Sequence, residues 1–148
     1  MTGDAAGKLK EAIRHRIACI DRVTINAFAG TGRSRRRELQ ATHAIARHIV
    51  YEGLHPFSFH WEHGNREPAT SHDVYLTVFT ALFDIDDEDA RRWGSKTEWD
   101  AARAEATRDI VRALTRKFVV GERRIVSVRP EDYVGSHSLS ASRYEDEL

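Results

Sequence analysis

TEWDAARAEATRDIVRALTRKF, residues 97–118, carries the strongest structural signal in the chain. Trp99, Ala102, Ala106, Ile110, Leu114 and Phe118 recur at spacings of three or four, which on a helix of 3.6 residues per turn stacks them into one apolar stripe. Thr97 followed by Asp100 has the form of a capping box, whose hydroxyl and carboxylate satisfy amides that a first turn leaves free. Arg108, Arg112 and Arg116 stand four apart and form a basic ridge on a different face. A long helix with one apolar stripe must bury it against something apolar, and the flanking sequence contains several such partners.

Immediately upstream, the acidic run Asp84 to Asp89 opens a short helix ending near Trp93, its carboxylates lying at the positive end of the helix dipole. It is not a calcium loop of the EF-hand type, because the positions that need glycine and a terminal carboxylate hold Asp89 and Ser95. Val74 to Phe83 is apolar on nearly every side and follows the capping-box pair Thr70 and Asp73. A buried central helix is expected there, with a strand as the rival given its β-branched and aromatic content. Leu54 to Thr70 breaks the pattern with Pro56, Gly64 and Pro68, and is expected to be a long loop packed down by Phe57, Phe59 and Trp61.

Towards the N-terminus, Leu9, Ile13, Ile17 and Ile20 predict a helix from about Asp4 to Ile20, with Asp4 as its cap. Val23, Ile25 and Ala27 alternate with Thr24 and Asn26 as a short half-buried strand would, a continued helix being the alternative. Gly30 and Gly32 allow a turn, and Ser34 is suited to cap a second helix reaching about Glu52. Leu39, Ala46, Ile49 and Val50 form the apolar face of that helix, and Gly53 stands where a C-terminal cap often needs positive φ. Beyond Phe118, Val119–Val120 and Ile125–Val128 flank Gly121–Glu122 as a β-hairpin would. Residues 135–148 are serine-rich and then acidic, the composition of a tail. The expected fold is one mostly helical domain over residues 1–134, of four to five helices with a small C-terminal β-hairpin.

Composition agrees with a foldable chain. At 148 residues, 41% hydrophobic and 31% charged, it is long enough to bury roughly 68–70% of its extended surface. No stretch approaches the ~18 apolar residues of a membrane span, and Met1 to Lys10 lacks the apolar core of a signal peptide. A soluble, cytoplasmic protein with no membrane partner is expected. Cys19 is the single cysteine, so one chain holds neither a disulfide nor a cysteine-rich zinc site, and the thiol is expected to pack near the first helix interface. Basic and acidic residues both number 23, yet residues 1–53 hold 10 basic and 5 acidic side chains. The chain is therefore polarised, which can recruit an anionic partner or favour head-to-tail association.

Three constellations bear on chemistry. Residues 27–34 run Ala-Phe-Ala-Gly-Thr-Gly-Arg-Ser between an expected strand and an expected helix start. They resemble the phosphate-binding loop of the P-loop nucleotidases, with Arg33 where that family has lysine. The resemblance implies that amides around Gly30 and Gly32 cradle a phosphate and that the Ser34 hydroxyl holds magnesium. Six histidines fall between His43 and His72, of which His55, His60 and His63 are candidate metal ligands. His60-Trp61-Glu62-His63 is one residue short of the inverted zinc-protease signature, and no His-Glu-x-x-His occurs. Finally, Arg33, Arg35, Arg36 and Arg37, together with Arg108, Arg112 and Arg116, are candidate nucleic-acid or anion contacts, since clustered guanidinium groups neutralise phosphates.

None of the three is a complete catalytic motif. The sequence therefore points to a non-catalytic binding or adaptor protein acting through a charge-polarised surface, with another protein or a second copy of itself as partner and no cofactor. The alternatives are nucleic-acid binding through the arginine clusters, and a nucleotide- or metal-dependent enzyme.

Overall fold

The stripe along residues 99–118 faces inward, as its period demands. Ala102, Ala106, Ile110, Leu114 and Phe118 are all buried, while Arg108, Arg112 and Arg116 face solvent. The structure, a computed structural model, describes residues 3–123. Its elements in chain order are α1 (Gly3–Ala18), α2 (Arg22–Ala29), α3 (Leu39–Gly53), β1 (Phe57–Trp61), α4 (Ser71–Phe83), α5 (Asp87–Arg92), α6 (Trp99–Lys117) and β2 (Phe118–Glu122). The expected class, a mostly helical domain with a small β-hairpin, is the one observed, with six helices among the described residues where four to five were expected and a two-stranded antiparallel sheet. Among the described residues no helix is long and apolar enough to cross a membrane.

Four helices enclose the core. α1 packs on α3, α3 on α4, α4 on α6 and α6 on α1, so α3 lies diagonally across the core from α6. Leu9, Ile13 and Ile17 of α1, Ile45 and Ile49 of α3, Val78 and Leu82 of α4, and Ile110 and Leu114 of α6 fill the interior with almost no exposure. Successive side chains of each set sit four apart on their helix, which holds them on one face. α2 and α5 pack together on the outside, where Trp93 and Phe28 meet with ring centroids 4.6 Å apart.

Several local expectations are corrected. Val23 to Phe28 is helical, because Asp21 accepts from the Thr24 amide at 2.8 Å and from its hydroxyl at 3.0 Å, starting a new helix whose Ile25 and Phe28 point inward. The alternation of Val23 with its neighbours was therefore misleading, and Val23 itself is 80% exposed. α1 starts at Gly3, which places Asp4 within its first turn instead of at the cap. Ser34 does not cap α3, which begins at Leu39 after Glu38. Gly53 is the last residue of α3 and the cap is Leu54 at φ −104°. What Gly53 provides is room: a Cβ there would lie 2.5 Å from Cγ of Arg16, whose chain crosses the helix end. Around Thr70 the capping box forms as expected, with both Thr70–Asp73 bonds present. At α6 it does not. Ser95 Oγ accepts from the Thr97 and Glu98 amides instead, and Asp100 pairs with Arg103 at 2.6 Å.

The sheet draws on a segment expected to be loop. Phe57 to Trp61 pairs antiparallel with Phe118 to Glu122, in the register Phe59 opposite Val120 and Trp61 opposite Phe118. Gly121 is thus inside a strand opposite Ser58 and makes no turn. The proposed second strand, Ile125 to Val128, and the tail 135–148 lie outside the described residues. Phe59 and Trp61 both pack on Phe118, at 5.8 and 4.8 Å between centroids, so aromatic burial explains why this stretch is held. Beyond Trp61 the chain turns through Gly64 and Arg66, both at positive φ, and returns along β1 with the Ala69 amide donating to the Phe59 carbonyl at 2.8 Å.

α5 is tied to α6 by charge. Arg92 forms a bidentate pair with Glu105 at 3.0 and 2.9 Å and also reaches Asp89 at 3.4 Å. The Arg92 guanidinium holds the Glu105 carboxyl below its ordinary value of 4.5. Folded chain thus binds fewer protons than unfolded chain in that range, so the pair supports the fold above it and loses that support as pH falls through the lowered value. Acid unfolding of Glu105→Gln should show a shallower loss of stability below about pH 4.5 than the unaltered chain. The difference should be modest, because Glu105 is 43% exposed and water screens the pair. Identical acid profiles would show that the pair contributes nothing.

Candidate interaction face on helices α3 and α4

Single exposed apolar side chains are ordinary on protein surfaces, whereas several on one face are informative. Of the five large hydrophobic residues most exposed among the described residues, four lie on one helix pair: Leu39 and Tyr51 on α3, Leu76 and Phe83 on α4. The two helices run antiparallel, since His43 meets Phe79 while Tyr51 meets Tyr75. On α3, Leu39, His43, Arg47 and Tyr51 stand four apart and trace an outer stripe about 18 Å long. Beside them on α4 run His72, Tyr75, Phe79 and Phe83.

The rings along this seam share an orientation. His43 and Phe79 stack at 4.4 Å and 19°, while Tyr75 lies near His43, Tyr51, His72 and Phe79 with interplanar angles between 9° and 24°. Nδ1 of His43 is hydrogen-bonded to the Tyr75 hydroxyl, which fixes the middle of the row. Burial pushes the Tyr75 phenol up from its usual value, with Arg47 opposing it. Arg47 itself makes no hydrogen bond or ion pair among the described residues and borders the open groove with Tyr51, His72 and Tyr75. The result is an aromatic row with the exposed Arg47 guanidinium beside it.

This face was not anticipated from the sequence. Val74 to Phe83 was expected to be buried throughout, but only Val74, Tyr75, Thr77, Val78 and Leu82 are covered. Leu39 belongs by its spacing to the apolar face of its helix, but it is the first residue of α3 and is 54% exposed. The available signal was the lack of amphipathicity in α4. A helix with apolar residues on every side is either surrounded or turns one apolar side outward, and its two helix neighbours in the ring, α3 and α6, do not surround α4.

The arginine run divides. Arg33, Arg35 and Arg36 are exposed, but Arg37 turns inward. Its guanidinium donates to the Leu82 carbonyl at 2.7 Å and to the Ile85 carbonyl, and lies 4.6 Å from the Phe28 ring centroid. Arg37 is therefore a structural clamp on the C-terminal end of α4 and not a free anion contact. Arg108, Arg112 and Arg116 are exposed on α6. Arg112 and Arg116 border a groove that also contains Asp84, Asp86, Asp89, Glu105 and Asp109. Asp84, Ile85 and Asp86 line the groove of Arg35 and Arg36 as well, so the acidic segment runs between the two arginine clusters. They do not make one continuous basic surface.

The phosphate-loop resemblance lacks its framework. A helix precedes the turn where a strand is required, Gly30 caps that helix at φ 79°, and the next helix begins five residues after Ser34. Ser34 Oγ accepts from the Arg36 amide at 3.3 Å and donates to the Arg36 carbonyl at 3.2 Å, closing its own local turn. Gly32 packs close to the α2 backbone. His55 and His63 are exposed and His60 is half-buried in β1. Among the described residues no three His, Cys, Asp or Glu side chains are placed to hold a metal, so these histidines do not converge. Cys19 is exposed, correcting the expected packing, and its Sγ lies 3.8 Å from Nε2 of His15. His48 pairs with Glu52 at 2.7 Å through Nδ1, but its buried Nε2 has no partner among the described residues.

Comparison with known proteins gave no match: no family model fits this sequence, and no curated protein or solved structure is significantly similar to it.

Proposed function

We propose that this chain is a non-catalytic, cytoplasmic binding protein whose partner docks on the outer face of α3 and α4. The observation that carries this is the collection of Leu39, Tyr51, Leu76 and Phe83 on one helix pair, around an ordered aromatic row. Binding surfaces are enriched in aromatic side chains and arginine, because large rigid rings bury much area with little loss of side-chain freedom. Arg47, Tyr51 and the rings of α4 have that composition.

The test is positional. A photo-crosslinking side chain at Leu76 should give a discrete adduct with another protein in a lysate of the source cells, and Tyr51→Glu should abolish it. The same probe at Arg108, on α6, should give none. Equal labelling from both positions, or no adduct from either, would remove this face from consideration.

A second function is favoured by Arg47 beside exposed rings, the pairing that single-stranded nucleic acid uses for stacking and charge neutralisation. It predicts that a labelled oligonucleotide binds tightly at low salt and loses affinity steeply as salt rises, with Arg47→Ala and Tyr51→Ala both weakening it. Salt-independent or absent retention discards it. The acidic segment between the arginine clusters makes this the weaker of the two.

A further inference from the structure

At one end of the α3–α4 face, Leu39 and Phe83 come together in an open groove. Leu39 is the first residue of α3 and Phe83 the last of α4, and both are more than half exposed. Around them the groove carries both signs of charge. Arg35, Arg36 and Arg91 line it with guanidinium groups that have no hydrogen bond or ion pair among the described residues, and Asp84, Asp86 and Asp87 line it with carboxylates.

We infer that this groove binds a second copy of the same chain across a two-fold axis. The inference rests on the α3–α4 face being the binding surface, and names the occupant of one end of it. A patch with an apolar centre and both charges at its rim is complementary to itself. Arg35 and Arg36 stand on the segment before α3, and Asp84, Asp86 and Asp87 follow α4, so a rotation by 180° about the Leu39–Phe83 centre sets those arginines of one copy against the carboxylates of the other, and every contact is made twice. A ligand of a single sign fits less well. A nucleic acid or an acidic peptide drawn by Arg35 and Arg36 meets three carboxylates in the same groove.

Two further features favour self-association. The formal net charge is zero, so copies approach without long-range repulsion. The rim is also fixed in advance: Arg37 anchors the segment carrying Arg35 and Arg36, and the Glu38 amide donates to the Ala27 carbonyl at 2.9 Å, so little ordering remains to be done on contact.

The experiment is sedimentation velocity on the full chain from low to high micromolar concentration. A concentration-dependent dimer is expected. Phe83→Ala should raise its dissociation constant about a hundredfold, because the lost burial counts twice across a two-fold. The side chain is exposed, so the variant should fold, which circular dichroism checks. Arg35→Glu with Arg36→Glu in one chain, and Asp84→Lys in another, should each be monomeric alone and form a heterodimer when mixed. Recovery on mixing is a result that general surface damage does not produce. A chain that sediments as a monomer throughout, or a dimer unaffected by Phe83→Ala and by the charge reversals, overturns the inference. A monomer that retains an oligonucleotide through Arg35 and Arg36 overturns it in favour of nucleic acid. The Leu76 crosslink is read separately: its persistence with a monomeric chain sinks only the second-copy inference, and its absence sinks the binding face itself.

Discussion

Replacing Trp93 by alanine is expected to lower the free energy of unfolding by about 3–5 kcal/mol. Trp93 is 1% exposed and follows α5, a helix of only six residues. So short a helix does not hold itself together in water and depends on its packing. Its inward side chains are Ala90 and Trp93, and the indole fills the space against Phe28 at 4.6 Å. Removing it leaves a cavity where α2, α5 and α6 meet. Since a domain of this kind has only about 5–15 kcal/mol in total, the variant should sit close to unfolding at 37 °C. Urea titration should show a lower midpoint with an unchanged slope. Trp99→Ala is the control. That ring is only partly buried at the start of α6, with the Arg103 guanidinium over it, and should lose much less. A loss below 1 kcal/mol at Trp93 would mean that α2 and α5 are not held as described.

The second large effect separates two neighbours that look alike in sequence. Arg37→Ala should cost about 2–3 kcal/mol, whereas Arg36→Ala should stay within about 0.5 kcal/mol. Arg37 satisfies the carbonyls of Leu82 and Ile85 at the end of α4 and packs on Phe28, and its side chain is only 17% exposed. Its removal leaves part-buried acceptors without a donor and strips one face of an aromatic ring. Arg36 makes no such side-chain contacts among the described residues and is exposed. Arg37→Lys should rescue little, because one ammonium does not span two carbonyls and lie flat on a ring as a guanidinium does. Thermal melts of the three variants decide it. Equal losses at Arg36 and Arg37 would return Arg37 to the surface cluster.

These two arginines show where one-dimensional pattern stops being informative. Arg33, Arg35, Arg36 and Arg37 form a single basic run, and charge density treats its members alike. The Gly30 turn and the positive φ of Arg35, 58°, rotate the chain so that one of them points into the molecule. Nothing local announces which. The candidate interaction face was hidden for a related reason. Leu39, Tyr51, Leu76 and Phe83 are apolar, and apolar residues on helices are expected to face a core. That they do not depends on how many neighbours pack around α4 and on where α3 begins relative to the core. The histidines and the glycine turn failed in the opposite direction. Residue types suited to metal and phosphate are present, but the elements carrying them do not bring them together.

Helix periodicity is a property of neighbouring residues, and it was sufficient wherever the answer was local. The inward stripe of α6, the inner faces of α1 and α3, the capping box at Thr70 and the acidic start of α5 were all legible in this way. The pairing of Phe57–Trp61 with Phe118–Glu122 was not, because a strand is stabilised by a partner some sixty residues away and aromatic content alone does not name that partner. The same holds for the inward turn of Arg37 and the outward turn of Phe83. A residue's own sequence neighbourhood sets which side of a helix it occupies, but whether that side meets core, carbonyl or water is set by packing between distant segments, and this became visible only once the chain was folded.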